Sequence, residues 1–430
     1  FIAADQEGGR VLRIYDACTA PPAMAVGATG EPALAQRLGE LMGAQLRALG
    51  VNVDFAPVAD VNSNPDNPVI GDRSYSADAQ TAARFVGAVT QGLQASGVLA
   101  CLKHFPGHGD TYEDSHSTLP RVTYDRSRLD SVELVPFEAG IAAGAAMTMV
   151  GHILYPALGA ETTPASLTPE VIEGVLRTEL GFDGLVVTDS LSMGAIAGSW
   201  SEEEACVMAV NAGADLLCIN DTADALRRAY ETVLCAVQEG RIAQARLDEA
   251  VLRILNAKYE YGILGGSRPV SVLPDADAYD ALLKTIAEKS LTVTEGEAAE
   301  FDAASTLVLY TEPKRAARTP ETRSFGAYMS HRNGCDAIAV GERPDSGQFE
   351  EAVAAAGNYA HVVLAVSGSG CAALASRIAR TDAALSVVVL DNVYTAREYA
   401  ELGAELVLTA WEYSDYSVRA AADYITGENR

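Results

Sequence analysis

The stretch "VLACLKHF" (residues 98–105) is an apolar run that ends close to two polar side chains, Lys103 and His104. Its length and composition predict a buried β-strand with charge near its carboxyl end. The first 260 residues contain further runs of this kind, which are "FIAAD" (1–5), "VNVDFAP" (51–57), "AAMTMVGHI" (145–153), "GLVVTD" (184–189) and "ADLLCIN" (214–220). Because helical patterns separate these runs, for example over 33–49 and 78–96, we expect repeated βα units and a parallel sheet.

The polar residues near the ends of these strands are spread over the whole set. They are Asp5, Asp54, Asp60, Lys103, His104, His152, Asp189 and Asn220. In a (β/α)₈ barrel such a rim builds the active site, whereas a doubly wound sheet gathers its polar residues at one switch point. The sequence therefore predicts an α/β fold with a TIM-type barrel. Six strands are predicted, whereas a barrel of this type has eight, so either two strands are hidden or the beginning of the barrel is missing. Since the chain opens inside a strand, we prefer the second explanation and expect the missing N-terminal strands to precede Phe1 in a longer protein.

A second set of apolar runs predicts a second domain. The runs are "STLVLY" (305–310), "AIAV" (337–340), "HVVLAVSG" (361–368), "LSVVVLD" (385–391) and "ELVLTAW" (405–411). We place the barrel at 1–265, a linker rich in Gly, Pro and Asp at 266–290, and an α/β sandwich domain at 291–430. Because the chain stops soon after a helix, the last strand of the sandwich is also expected beyond its end.

The composition narrows the class of partner. A formal net charge of −27 and a pI of about 4.5 argue against nucleic acid and anionic membranes. The sequence contains no apolar run that is long enough to span a bilayer. The 7 cysteines are scattered without CxxC spacing, which favours a reducing compartment such as the cytoplasm over secretion. Such a charge suits an enzyme whose substrate is small and either uncharged or locally neutralised.

Two stretches carry candidate binding and catalytic carboxylates. Asp189 ends "GLVVTD", where it is either a helix N-cap or a carboxylate that faces a substrate. The stretch "DQEGGRVLR" (5–13) gathers Asp5, Glu7, Arg10 and Arg13 around a glycine turn. Carboxylate and guanidinium groups together suit hydrogen bonds to vicinal sugar hydroxyls.

The loop "NPDNPVIGDRSYSAD" (64–78) follows the second strand and is rich in turn residues. Its Arg73 lies where such a loop can fold over the mouth of a barrel. An ordinary surface loop is the competing interpretation.

The stretch "KHFPGHGDTYEDSH" (103–116) holds three of the 6 histidines of the chain. One interpretation is a metal site, whose ligands would come from His104, His108, Asp110, Asp114 and His116, but the spacing fits no established zinc pattern. A second is a phosphate-binding loop, although Lys103 precedes the glycines instead of following them. The third is an acid/base pair, in which Asp114 orients the ring of His116. Gly107 and Gly109 would then be hinges that let the loop move.

Together, "DQEGGRV", "KHFPGHGDT…DSH" and "VVTDSLSM" resemble glycoside hydrolase family 3, in its β-N-acetylglucosaminidase branch. The resemblance is strong from Phe1 to about residue 265 and weaker beyond. It implies that Asp189 is the nucleophile, His116 the general acid/base and Asp114 its partner. The residues implied to bind N-acetylglucosamine are Asp5, Arg13, Arg73, Lys103, His104 and His152. No cofactor or metal is implied.

The implied activity is that of a retaining exo-β-N-acetylglucosaminidase, with peptidoglycan fragments as the expected source of substrate. A phosphorylase that uses the same residues is the nearest alternative, because a neutral imidazole does not repel phosphate as a carboxylate would. An inactive sugar-binding fragment is the alternative from another class. No feature of the sequence specifies an oligomeric state.

Overall fold

The computed structural model describes residues 1–15, 19–115, 117–265, 273–312, 324–390 and 393–428, which form two compact units. The first unit comprises Phe1–Ala23 and Glu31–Pro274. The second comprises Met24–Gly30 and the chain from Asp275 onward.

A sheet of six parallel strands forms the centre of the first unit, in the order β1 to β6. The strands are β1 (Ala3–Ala4), β2 (Val53–Asp54), β3 (Leu99–Phe105), β4 (Met147–Val150), β5 (Leu185–Ser190) and β6 (Leu216–Cys218). Each strand coincides with one apolar run of the sequence, and only β5 extends one residue beyond its run, so the six predicted strands are confirmed. Strands that follow one another in sequence also pair in space, because each crossover returns the chain beside the strand it has left.

Helices connect these strands. Helix α1 (Ala23–Ala28) belongs almost entirely to the second unit. The helices of the first unit are α2 (Pro32–Ala48), α3 (Ala79–Ala95), α4 (Arg126–Ser131), α5 (Val135–Ala142), α6 (Gly194–Ala197), α7 (Glu202–Ala212), α8 (Ala223–Gln238) and α9 (Gln244–Glu260). A π-helical segment, Glu170–Glu179, precedes β5. Asp78, Ser201 and Thr222 cap α3, α7 and α8 by accepting a backbone N–H with a side-chain oxygen.

Helices α2 and α3 pack closely because glycines line their contact. A Cβ atom on Gly92 would lie 2.2 Å from the carbonyl oxygen of Gln36. Only a residue without a side chain lets the two backbones approach so closely. The carboxyl end of α3 thereby leads into β3, the strand that carries Lys103 and His104.

A buried ion cluster joins the amino-terminal ends of β5 and β6. Asp215 is fully buried and accepts from Arg177 and Arg246 at 2.7 Å each, and from Arg253 at 3.3 Å. The backbone N–H of Val186 also donates to its carboxylate at 3.0 Å. A buried carboxylate that is satisfied by several donors serves stability at this end and leaves the other end of the sheet for binding.

The second unit is built on a mixed sheet in the order β7-β12-β11-β10-β8-β9. Its strands are β7 (Thr292–Gly296), β8 (Thr306–Thr311), β9 (Asp336–Val340), β10 (His361–Val366), β11 (Ala384–Val389) and β12 (Leu406–Thr409). Its helices, besides α1, are α10 (Ala276–Ser290), α11 (Phe325–Asn333), α12 (Ser346–Ala356), α13 (Ala372–Ile378), α14 (Val393–Ala400) and α15 (Asp415–Thr426). Alternate residues of β8 and β10 enter two separate apolar clusters, so the sheet is covered on both faces.

Two features of the second unit differ from the sequence predictions. Strand β7 was not predicted, and it pairs antiparallel with β12 at the edge of the sheet. Its residues are mostly exposed, so it lacks the apolar run that reveals a buried strand. Residues 276–290, which we assigned to a linker, form α10 and contact α15.

None of the described helices combines the length and the apolar character needed to cross a lipid bilayer.

Candidate active site

The carboxyl ends of β1 to β5 bring the predicted polar side chains to one rim. Asp5 follows β1, and Asp54 ends β2. Lys103 and His104 lie near the end of β3, His152 follows β4, and Asp189 is the penultimate residue of β5. Because neighbouring strands are parallel, residues that are distant in sequence meet at this edge.

Glu7 is the centre of a buried charge cluster on this rim. Its carboxylate lies 2.6 Å from Nζ of Lys103 and accepts two hydrogen bonds from Arg73, both at 2.8 Å. Lys103 also contacts Asp5 at 2.7 Å. Burial by itself would raise the pKa of Glu7, but Lys103 and Arg73 outweigh it and hold the pKa well below its ordinary value. The same carboxylates overcome the effect of burial on Lys103 and raise its pKa.

This cluster orders two of the predicted sugar-binding cations. The side chain of Lys103 is 2% exposed and that of Arg73 is 11% exposed, so neither moves freely. Asp5 is 34% exposed and remains open to a ligand. Arg13 lies at the edge, where its guanidinium is 3.8 Å from Asp5 and 57% exposed.

Asp60 holds the turn that follows β3. Its fully buried carboxylate accepts from Nδ1 of His104 at 2.8 Å and from the backbone N–H of His108 at 2.6 Å. Its backbone carbonyl accepts from the hydroxyl of Ser74 at 2.7 Å, next to Arg73. Asp60 therefore fixes the ring of His104, and with it the atom Nε2, which lies 3.4 Å from Arg73.

Asp189 is surrounded by positive or polarised groups. Its Oδ1 accepts from the backbone N–H of Ser190 at 2.7 Å. Burial would raise the pKa of Asp189, but His104, His152, this hydrogen bond and Lys103 together hold the pKa below its ordinary value. The carboxylate is therefore ionised at neutral pH, as a nucleophile must be.

His152 supports the segment around Asp189. Its Nε2 lies 2.9 Å from the carbonyl oxygen of Ser190, and its Nδ1 lies 2.7 Å from the hydroxyl of Ser166. A carbonyl oxygen only accepts, so Nε2 carries the proton and the hydroxyl of Ser166 donates to Nδ1. Burial lowers the pKa of His152, which keeps the ring neutral. His152 thus touches the backbone beside Asp189, which the sequence did not reveal.

Two glycines of the stretch 103–115 are closely packed. A Cβ atom on Gly109 would lie 1.8 Å from the carbonyl oxygen of Val61, and Tyr155 donates a hydrogen bond to the carbonyl of Gly107. Both glycines therefore serve close packing in this conformation, and their role as hinges stays a prediction. Asp114 accepts with its carbonyl oxygen from the backbone N–H groups of Ser117 and Thr118. His116 lies outside the described residues.

Asp54 is a buried carboxyl close to the cluster. Its Oδ1 accepts from the backbone N–H of Gln6 at 3.0 Å, while Oδ2 has no hydrogen-bond partner among the described residues. Burial raises the pKa of Asp54 well above its ordinary value. Among the described residues, no group of three or more His, Cys, Asp or Glu side chains is arranged to hold a metal ion.

Sequence reasoning did not select Glu7 and Asp60 as site residues, although both are central to the site. Each lies near the predicted rim, but its partners are distant in sequence. Glu7 meets Arg73 across 66 positions, and Asp60 meets His104 across 44. The crowding of Glu7 with Asp5 and Arg13 in sequence was the available signal that Glu7 belongs to the site. Its pairing with Arg73 could be seen only in the folded sheet.

The first unit has the parallel sheet of a TIM-type barrel, with an ionised carboxylate and a cluster of cations at the carboxyl ends of its strands. The family model for the "Glycosyl hydrolase family 3 N terminal domain" matches residues 1–257, so the chain belongs to glycoside hydrolase family 3. The predicted family is confirmed.

The similar proteins agree with the predicted branch. The chain is 39% identical to a β-hexosaminidase A of Pseudoalteromonas piscicida over 280 residues, which are 60% of this chain and 47% of that protein. It is 42% identical to a β-hexosaminidase of Xylella fastidiosa (strain M12) over 205 residues, which are 46% of this chain and 60% of that protein. The chain thus spans about half the length of these curated relatives.

A solved structure agrees over the whole chain. It is a glycoside hydrolase family 3 β-N-acetylglucosaminidase from Paenibacillus sp. str. FPU-7, with a TM-score of 0.89 and 36% identity. The match covers 100% of this chain and 84% of that one. The predicted fold class, a TIM-type barrel followed by an α/β sandwich, is therefore confirmed.

Proposed function

We propose that the protein is a retaining exo-β-N-acetylglucosaminidase that removes terminal, non-reducing N-acetylglucosamine. The observation that carries the proposal is the ionised carboxylate of Asp189 at the end of β5, whose Oδ1 accepts from the backbone N–H of Ser190 at 2.7 Å. The printed names of the similar proteins, β-hexosaminidase and β-N-acetylglucosaminidase, support this choice of sugar.

The charge cluster suits recognition of the sugar ring. Asp5 offers carboxylate oxygens, and Arg73, Lys103 and His104 offer donors or a ring nitrogen at fixed positions. Adjacent hydroxyls need donors and acceptors together, which a cluster of paired charges supplies. Arg13 at the rim completes the proposed binding set. His152, also expected from the resemblance to bind the sugar, is fully buried with both ring nitrogens engaged, so we propose that it supports the segment that carries Asp189.

The proposed reaction has two steps. Asp189 attacks the anomeric carbon and forms a glycosyl–enzyme ester, while protonated His116 gives its proton to the leaving oxygen. The neutral imidazole of His116, oriented by Asp114, then takes a proton from water. The resulting hydroxide attacks the anomeric carbon, releases Asp189 and restores the β-configuration. Since Oδ1 of Asp189 is engaged by Ser190, Oδ2 is the oxygen that attacks.

Peptidoglycan fragments are the proposed natural substrates, with N-acetylglucosamine linked to a muramic or anhydromuramic residue. The negative charge of the chain does not oppose this, because the sugar that enters the rim is uncharged.

The test compares Asp189→Asn with the control Asp183→Asn, which changes an exposed aspartate on the turn before the same strand. We expect the first variant to lose at least about 10³-fold in kcat on an aryl N-acetyl-β-glucosaminide, because no nucleophile remains. The control should retain wild-type activity. Equal activity of the two variants contradicts the nucleophile assignment.

The product identifies the reaction class. Proton NMR during early turnover should show the β-anomer of N-acetylglucosamine as the first product. The same assay in the presence of inorganic phosphate should still release free sugar. Accumulation of sugar 1-phosphate would identify a phosphorylase instead, and activity that is lost to a chelator and restored by zinc would identify a metal hydrolase.

A further inference from the structure

We propose that His108 is a positioning residue for the acid/base pair, acting through Ser115. The inference rests on the proposed function, because it concerns the loop that carries Asp114 and His116 in sequence. The metal interpretation gave His108 a role as a ligand, but no metal-holding group is found among the described residues, and the sugar-binding set does not include it. His108 is buried and lies in the same stretch as the proposed acid/base residues.

Both ring nitrogens of His108 are engaged inside the protein. Nε2 lies 2.9 Å from the hydroxyl of Ser115, and Nδ1 lies 2.7 Å from the hydroxyl of Thr111. Burial and the field of His104 lower the pKa of His108 to about 4, so the ring is neutral at pH 7. A neutral imidazole has one N–H, so one of the two bonds donates and the other accepts.

His108 is itself held firmly in place. Its backbone N–H donates to Asp60 at 2.6 Å, and its carbonyl oxygen accepts from the side-chain amide of Asn67 at 2.8 Å. Asp60 is also the residue that fixes the ring of His104. The position of His108 is therefore tied to the strand end that carries the proposed sugar-binding residues.

Ser115 connects this anchor to the segment after the nucleophile. Its side chain bonds to His108, and its carbonyl oxygen accepts from the backbone N–H of Ala195 at 3.3 Å. Ala195 lies in α6, which begins five residues after Asp189. Ser115 is 2% exposed, although Tyr112, three residues earlier, is 76% exposed. One buried serine therefore joins the loop to both β3 and the chain that leaves β5.

The bond between His108 and Ser115 affects the proposed acid/base pair because of where Ser115 lies in the sequence. Ser115 is the direct neighbour of both Asp114 and His116, so a shift of its backbone moves both residues. General acid catalysis requires a donor within hydrogen-bond reach of the leaving oxygen, and a misplacement of about 1 Å can cost about 10²-fold. The bond between His108 and Ser115 therefore constrains the backbone on which both residues of the proposed acid/base pair depend.

The test replaces Ser115 with Ala and varies the leaving group. Values of kcat/KM report the first bond-breaking step, so they are measured with phenyl and 2,4-dinitrophenyl N-acetyl-β-glucosaminides. A phenyl group needs a proton to depart, whereas dinitrophenolate does not. We expect Ser115→Ala to lower kcat/KM at least about 10-fold for the phenyl substrate and less than about 3-fold for the dinitrophenyl substrate.

A matched control exists in the second unit. His361 and Ser386 form a buried pair of the same kind, with 2.8 Å between Nε2 and the hydroxyl. Ser386→Ala should leave both kcat/KM values unchanged. The variant His108→Gln should reproduce the leaving-group effect, and the double variant of His108 and Ser115 should lose no more than the larger single loss.

The outcomes separate this inference from the proposed function. An equal loss on both substrates, or no loss on either, overturns the positioning role while the hydrolase activity stands. A full-length wild-type protein that hydrolyses neither substrate overturns the proposed function and the inference with it. If His108→Gln fails to fold, Ser115→Ala alone decides, because it removes only one oxygen atom.

Discussion

Replacement of Glu7 by Gln tests whether the charge cluster is as important for stability as its geometry indicates. The carboxylate is 4% exposed and pairs with Lys103 at 2.6 Å and with Arg73 at 2.8 Å. The variant keeps the shape of the side chain but leaves both cations without their shared charge. Lys103 retains Asp5, whereas Arg73 retains the backbone carbonyl of Val69 at 3.2 Å.

The expected loss follows from this arrangement. Removal of one partner from a buried ion pair costs about 3–5 kcal/mol of the free energy of unfolding. Because the amide oxygen of Gln still accepts one hydrogen bond, we expect the lower end, about 3 kcal/mol. The matched control is Glu40→Gln, which breaks an exposed pair with Arg37 at 2.7 Å and should cost less than about 0.5 kcal/mol.

Urea unfolding measures this difference. The chain has 2 tryptophans, of which Trp200 lies in the first unit and Trp411 in the second. In a Trp411→Phe background shared by all variants, the fluorescence of Trp200 reports the first unit alone. If Glu7→Gln and Glu40→Gln unfold at the same urea concentration, the reasoning is refuted.

The dependence on pH provides a second check of the same substitution. The pKa of Glu7 is lower in the folded state than in the unfolded state, so its ionisation stabilises the fold. This contribution is fully present above the unfolded pKa of about 4.3 and is lost as the pH falls toward the folded value. We therefore expect the difference in free energy of unfolding between wild type and Glu7→Gln to shrink below about pH 4. A gap that widens in acid would contradict this.

Two further predictions concern packing. Gly109→Ala should lower the free energy of unfolding of the first unit by about 1–3 kcal/mol, because the new methyl group would lie 1.8 Å from the carbonyl oxygen of Val61. Gly174→Ala is its control, since that site has open space, and it should be neutral or slightly stabilising in the same urea assay. Thr409→Val should stabilise the second unit by up to about 1 kcal/mol, because the buried hydroxyl of Thr409 finds no hydrogen-bond partner in the part of the chain that the structure describes. Fluorescence of Trp411 in a Trp200→Phe background measures it, and a loss of stability would show that the hydroxyl has an unrecognised role.

The elements of the fold could largely be predicted from the sequence. Burial of a strand on both faces demands a continuous apolar run, and such runs predicted β2 to β5, β8 and β10 to β12. Strands β1, β6 and β9 are only partly buried, but they also lie in apolar runs and were predicted too. Strand β7 could not be predicted in this way, because an exposed strand at the edge of a sheet does not need a continuous apolar run. The candidate rim was also predictable, because a parallel sheet places the residue that ends each run on the same side.

The site itself depended on the tertiary structure. The sequence supplied Asp5, Lys103, His104 and Asp189 through their positions at strand ends. It did not reveal that Glu7 joins Lys103 to Arg73, or that Asp60 orients His104.

The sequence by itself determined where all strands except β7 lie along the chain, which residues end them and which family motifs they carry. Each of these is a local property of the chain. Only the tertiary structure decided which charges pair, that Gly109 serves packing, and that His108 and Ser115 are bonded. The physical reason is the same in every case. A charge pair, a close approach of two backbones or a bond between buried side chains depends on distances that the sheet sets between segments far apart in sequence.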